Sequence, residues 1–123
     1  MPIRLLVVDD HPLVRGTLAL ALGRSALVEV VGVACDGAEA VEAVARLRPE
    51  VVLMDLAMPV LDGTEATRRL LALWPRTRVV VLTSAAGGRL EQAALDAGAS
   101  RILYKDAGID AVLDAVVAAV TTG

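Results

Sequence analysis

Five short apolar runs alternate with segments of helical periodicity, and this alternation constrains the fold more than any other feature of the chain. The runs are "IRLLVV" (3–8), "VEVVGVA" (28–34), "VVLM" (51–54), "RVVVLT" (78–83) and "RILY" (101–104). All are rich in Val, Ile and Leu, and short near-continuous runs of that kind suit strands buried on both faces. Between them, Leu13, Leu18 and Leu22 predict the apolar side of a first helix. Ala40, Val41, Val44 and Leu47 predict a second, which Pro49 closes. Leu70, Leu71 and Trp74 follow Asp62-Gly63, with Pro75 beyond them. Leu90, Ala94 and Leu95 precede Gly98, a C-cap glycine, and Ile109, Val112, Leu113, Val116, Val117 and Val120 form the last helix. The spacing predicts a parallel sheet covered by helices on both faces, and right-handed crossovers make it a doubly wound α/β domain of five strands.

No linker, repeat or low-complexity tract divides the 123 residues, so residues 1–123 form one domain, and "AVTTG" at the end is where a linker would begin. Although 56% of the residues are hydrophobic, no apolar run approaches the roughly 20 residues of a membrane span. The opening "MPIRLLVVDD" is too short in its apolar part for a signal peptide and ends on two acids. One cysteine, Cys35, excludes an internal disulfide and reads as a small buried hydrophobe. A cytoplasmic location with no membrane partner is expected. A net charge of −3, no Phe and a single Trp and Tyr leave no basic patch or stacking platform for nucleic acid.

Ligands of such sheets bind at the carboxyl ends of the strands, near the point where strand order reverses. The first run ends at Asp9-Asp10, the third at Asp55, the fourth at Thr83-Ser84 and the fifth at Lys105, the only lysine. Each has a plainer reading alone. The acid pair could cap a helix at Pro12, Thr83 could bond its own backbone, and Lys105 could be a solvated charge. His11, between the acids and Pro12, reads as a first-turn helix residue rather than a ligand. Convergence shifts the balance. Three carboxylates at one sheet edge repel one another unless a cation sits among them, and oxygen donors of this kind suit Mg²⁺. A lysine and a threonine hydroxyl opposite would cradle a phosphoryl group, with Asp55 as the nucleophile.

These stretches carry a family resemblance. "VVDDHPLVR", "VVLMDLAMPVLDGTEATRRL", "VVVLTS" and "DAGASRILYKD" resemble the response-regulator receiver domains of two-component systems. The likeness is strongest to the NarL/FixJ type that precedes a LuxR-like helix-turn-helix. The resemblance covers the whole chain and implies a (βα)5 flavodoxin-like, CheY-like fold with strand order 2-1-3-4-5. It implies that Asp55 accepts phosphate from a sensor histidine kinase or a small donor such as acetyl phosphate. Asp10 and Asp55 would ligate Mg²⁺ directly, Asp9 through water, and the backbone carbonyl of Ala57 would add a ligand. Lys105 would pair with the phosphoryl group, Thr83 would swing inward to bond it, and Pro59 with Asp62-Gly63 would shape the loop after Asp55. Partners implied are the kinase, a second copy in a homodimer, and DNA only through a C-terminal output domain outside this chain.

Two positions depart from the family pattern. Its switch aromatic, three residues before the lysine, is replaced by Ile102, and the only tyrosine is Tyr104. Asp106 stands where many members have proline. The chemistry residues are intact while the readout through Thr83, Ile102 and Tyr104 is altered. Ala57 and Ala85, two residues beyond Asp55 and Thr83, cannot orient an attacking water, so slow self-dephosphorylation is expected. A phosphorylation-independent receiver acting as a dimerisation module is the alternative. An Asp-nucleophile phosphatase would want an acid at Ala57, and a nucleotide-binding module would want glycines in "DDHPLVRG".

Overall fold

The computed structural model describes residues 1–84 and 88–121, so the expectation for Ala85 and the last two residues of "AVTTG" lie outside the described residues. Strands and helices alternate throughout: β1 (Ile3–Val8), α1 (Pro12–Gly23), β2 (Val28–Ala34), α2 (Gly37–Leu47), β3 (Val51–Met54), α3 (Gly63–Leu73), β4 (Arg78–Thr83), α4 (Gly88–Asp96), β5 (Arg101–Tyr104) and α5 (Ile109–Thr121). The five strands form one parallel sheet in the order β2-β1-β3-β4-β5, as the resemblance implies.

Period-2 alternation divides the strand residues between two cores. Leu6, Val8, Val52, Met54, Val79 and Val81 pack with Ala40 and Val44 of α2, Ala66 and Leu70 of α3 and Ala94 of α4. Leu5, Val7, Val51, Leu53, Val80 and Leu82 pack on the other face with Leu22 of α1 and Val112, Ala115, Val116 and Ala119 of α5. On β5 the same alternation sends Ile102 to the first core and Leu103 to the second.

Leu13, read as part of the apolar side of the first helix, is exposed, and so are Leu90 and Leu95 of α4. Leu13 lies in the first turn of α1 and is 82% exposed. Among the described side chains of α4 the fully buried one is Ala94, so the helix meets the sheet through a small side chain while Leu90 and Leu95 remain exposed.

Helix ends follow their local chemistry. Asp36 and Asp62 cap α2 and α3, accepting from the amides of Glu39 (2.8 Å) and Glu65 (2.9 Å), each cap being worth about 1 kcal/mol. Arg48 adopts a left-handed φ of 49° just after α2, because Pro49 disfavours a further helical residue. Its guanidinium then stacks 5.1 Å from the Trp74 ring centroid and ties α2 to the end of α3. Gly98 ends α4 at φ +111°.

Two glycines fix the loop after β3. The Gly63 amide donates to the Leu56 carbonyl (2.9 Å), and a Cβ there would lie 2.0 Å from the Asp55 carbonyl oxygen. The Gly37 amide donates to the Leu61 carbonyl (2.9 Å), and a Cβ would lie 2.1 Å from that oxygen. Only glycine permits both approaches, which clamp the loop between α2 and α3.

Candidate functional site

The strand ends that carry the acids and the lysine meet at one edge of the sheet. β1 and β3 pair up to Val8 and Met54, so Asp9 and Asp55 leave the sheet side by side. The Asp55 amide donates to the Val8 carbonyl and the Asp9 amide to the Ala34 carbonyl, both at 3.1 Å. On the other flank Thr83 pairs with Tyr104, and the Lys105 amide donates to the Thr83 carbonyl at 2.9 Å. From β1 the chain goes to β2 on one side, and from β3 to β4 on the other. The acids therefore occupy the crevice at the strand-order reversal.

Lys105 Nζ lies 2.9 Å from Asp9 Oδ2 and 3.5 Å from Asp55 Oδ2. Asp9 and Asp55 are buried, and Asp10 and Lys105 are half-buried. The Ala57 amide donates to Asp55 Oδ1 at 3.4 Å. His11 is not a first-turn helix residue but the N-cap of α1, and its side chain makes no capping bond. Its amide donates to Asp9 Oδ1 (2.9 Å), while Nδ1 lies 3.2 Å from that oxygen and 3.0 Å from Asp10 Oδ1. Asp9, Asp10, His11 and Asp55 can each present one ligand atom within 4.8 Å of the others.

Charge is unbalanced here, with three carboxylates against one ammonium. Burial pushes the Asp55 carboxyl above the usual aspartate range, with Lys105 opposing and Asp9 adding to the rise. Burial pulls the Lys105 ammonium down, but its contacts with Asp9 and Asp55 outweigh this and raise it overall. The two directions are reconciled by distance: the lysine spends its charge mainly on Asp9 and leaves Asp55 under-compensated. Two buried oxygens, Asp10 Oδ1 and Asp55 Oδ2, have no hydrogen-bond partner. The ammonium near the second, at 3.5 Å, is an ion-pair contact rather than a directed bond. Orphaned buried oxygens are costly, and a divalent cation among them would satisfy both. The donor set therefore fits a metal ion on its own chemistry.

Thr83 is buried and continues the side of β4 that carries Val79 and Val81. It lines a cleft with Leu56, Ala57 and Leu90. Ile102 is half-buried against the core beneath α4. Tyr104 follows on the same side of β5, 40% exposed, with its hydroxyl donating to Glu91 of α4. The peptide bond between Lys105 and Asp106 is trans. Cys35 is not a buried hydrophobe: its thiol is half-buried and donates to Glu39 Oε2 at 3.2 Å.

Sequence reasoning missed the Tyr104–Glu91 bond and the place of His11 among the acids. Nothing in the sequence signals the first, since the partners lie on separate elements. The adjacency in "DDHP" was a usable signal for the second, because a residue before proline is held extended and cannot turn away into the helix.

Residues 5–117 match the response regulator receiver domain family. Response regulator GacA of Pseudomonas viridiflava is 40% identical over 114 residues, covering 93% of this chain and 53% of that protein. Protein-glutamate methylesterase/protein-glutamine glutaminase 4 of Myxococcus xanthus is 44% identical over 108 residues, covering 87% of this chain and 31% of that protein. The chain thus spans between about a third and about half of the length of these curated relatives. A solved two-component response regulator of the LuxR family from Aurantimonas sp. SI85-9A1 superposes with a TM-score of 0.94 at 30% identity, over 99% of this chain and 87% of that one.

Proposed function

The chain belongs to the response regulator receiver domains, and from that premise we propose that it is a phosphorylation-dependent switch which takes a phosphoryl group onto Asp55 from a sensor histidine kinase. The single observation that carries the reading is the buried Asp55 Oδ2, without a hydrogen-bond partner and 3.5 Å from Lys105 Nζ. A receiver of this kind catalyses its own phosphorylation and dephosphorylation and no separate reaction.

The Asp55 carboxylate attacks the phosphorus of a phosphohistidine, a P–O bond forms as the P–N bond breaks, and the imidazole leaves. Asp10 and Asp55, with Asp9 and the Ala57 carbonyl, are the residues that would hold Mg²⁺. When bound, this ion neutralises charge on the transferring oxygens. Lys105 sits on a flexible stem, so its ammonium can move from Asp55 to a phosphoryl oxygen. The Thr83 hydroxyl closes on the same group, and the movement of β4 is passed through Ile102 and Tyr104 towards α4.

The NarL/FixJ subtype and a DNA-binding output unit beyond this chain belong to the same reading, supported by the LuxR-family structure at 99% coverage. The similarity to a glutamate methylesterase favours a second output, an esterase unit joined to the same switch. The coding sequence after Gly123 separates the two. Exposed Leu13 and Leu20 on α1 support a homodimer. No described helix is long and apolar enough to cross a membrane.

Intact-mass measurement after incubation with acetyl phosphate and Mg²⁺ tests the proposal. One phosphoryl group is expected, lost with chelator and absent in Asp55→Asn. Labelling that survives the substitution would refute the assignment.

A further inference from the structure

The geometry points to a second binding site, for a small flat organic anion of the aromatic carboxylate class, in the cleft between the ends of α2 and α3. The cleft lies where β4 begins, at the edge of the sheet opposite the acids, and its occupation does not depend on the phosphoryl reading.

Shape is the first argument. Arg48, Pro49, Trp74, Pro75, Arg76 and Thr77 line a cleft of about 320 Å³. An apolar cavity of roughly 150 Å³ accepts a benzene ring, so a ring with a charged head has room here. Trp74 and the two prolines are stiff apolar walls, and a few polar groups converging on such walls are the common make-up of a small-molecule site. The walls are formed in advance. The Trp74 amide donates to the Leu70 carbonyl at 2.7 Å, and the Thr77 amide turns back to the Trp74 carbonyl at 3.1 Å.

Charge is the second argument. Arg48 donates through Nε to the Ala45 carbonyl at 3.1 Å and rests on the Trp74 ring, so its terminal nitrogens have no described partner. The Arg76 guanidinium donates no described hydrogen bond. Neither arginine belongs to a described ion pair, since those involve Arg68, Arg69, Lys105 and His11. Among the described residues no acid lines this cleft. Glu50 lines the neighbouring one, where its Oε1 accepts from the Arg4 amide at 3.2 Å. In a chain of net charge −3, two guanidinia in an acid-free cleft select an anion, and their planar fork matches a carboxylate.

Thr77 supplies an independent observation. It is only 9% exposed, yet its hydroxyl has no described hydrogen-bond partner. That oxygen is not among the sealed orphans, which are Asp10 Oδ1 and Asp55 Oδ2, so it opens onto the clefts that Thr77 lines. A hydroxyl so nearly buried calls for a partner, and a carboxylate oxygen held by Arg76 supplies one.

Trp74 is the only tryptophan, so its fluorescence reports on the cleft directly. Titrations of the chain with benzoate, inorganic phosphate and benzyl alcohol separate the ring from the charge. Saturable quenching by benzoate is expected, with a Kd of about 0.1–1 mM, and binding about fivefold weaker or worse for the other two probes. Arg76→Gln, at an exposed position, and Thr77→Val, nearly isosteric, should each weaken benzoate binding by about three- to tenfold. Arg68→Gln, on α3 but outside the cleft, should leave it unchanged. If Thr77→Val lowers the melting temperature, Arg76→Gln decides alone. Quenching that does not saturate, undiminished benzoate binding in Arg76→Gln, or phosphate or benzyl alcohol bound as tightly as benzoate would overturn the proposal. Labelling of Asp55 by acetyl phosphate stands or falls separately from all of these results.

Discussion

Replacing Val60 by glycine should stabilise the domain although it removes an entire side chain. Val60 sits at φ +68°, in the loop between β3 and α3, and the Leu61 amide donates across it to the Pro59 carbonyl at 2.7 Å. A three-residue turn of that sense is uncommon and strained, and a branched Cβ makes it worse. The left-handed region costs an ordinary residue about 1–2 kcal/mol. Val60 recovers nothing by burial, being 82% exposed. Glycine avoids the steric cost but gives back roughly 0.5–1 kcal/mol in the entropy of the unfolded chain. The net expectation is a gain of about 0.5–1 kcal/mol for Val60→Gly, which for a domain of this size is a rise in Tm of roughly 2–5 °C. Val60→Ala, which relieves only the branching, should fall between the two. Equilibrium urea unfolding, followed by the fluorescence of Trp74, measures all three proteins without any divalent cation. A Val60→Gly protein equal to or less stable than the wild type would refute the reasoning. The loop would then be held in that conformation at no cost.

Three further outcomes follow from the site and its supports. Because burial raises the Asp55 pKa, the folded state binds that proton more tightly than the unfolded one, so this group lowers stability as pH rises above the usual aspartate value of 3.8 and through its raised value. Asp55→Asn should therefore raise Tm in chelator at neutral pH, with the gain shrinking towards pH 4, and a loss at neutral pH would contradict this. The Cys35 thiol is raised by its bond to Glu39, so Glu39→Gln should speed alkylation by a neutral thiol reagent at fixed pH, and an unchanged rate would sink the assignment. Gly63→Ala places a Cβ 2.0 Å from the Asp55 carbonyl oxygen. It should cost about 3 kcal/mol in urea unfolding and slow phosphorylation by acetyl phosphate, and a variant unaffected in both would refute the clamp.

The sheet was legible because central strands such as β3, buried along its whole length, have nowhere to put a polar residue until they end, while the edge strands β2 and β5 are only partly buried. "VVLM" breaks on Asp55 and "RILY" on Lys105, and those breaks are the strand boundaries in the structure. The same rule located the acids and the lysine, since residues that close parallel strands share one edge. Helix faces were harder to read, because leucine marks an inward face only where something covers it. Leu13, in the first turn of α1, is exposed, and α4 turns Ala94 inward. Least legible were contacts between elements remote in sequence, and these bear on how the switch is read out. Ile102 fills its place against the core under α4, while Tyr104 lies further along the same side and is tied to α4 through Glu91. Ile102 is stiff at χ1 and cannot swing in and out as a ring can. A movement of α4 must therefore either carry Tyr104 with it or break the bond to Glu91. The end of β5, one residue before Lys105, is thus joined mechanically to the helix surface that the phosphoryl group would have to move.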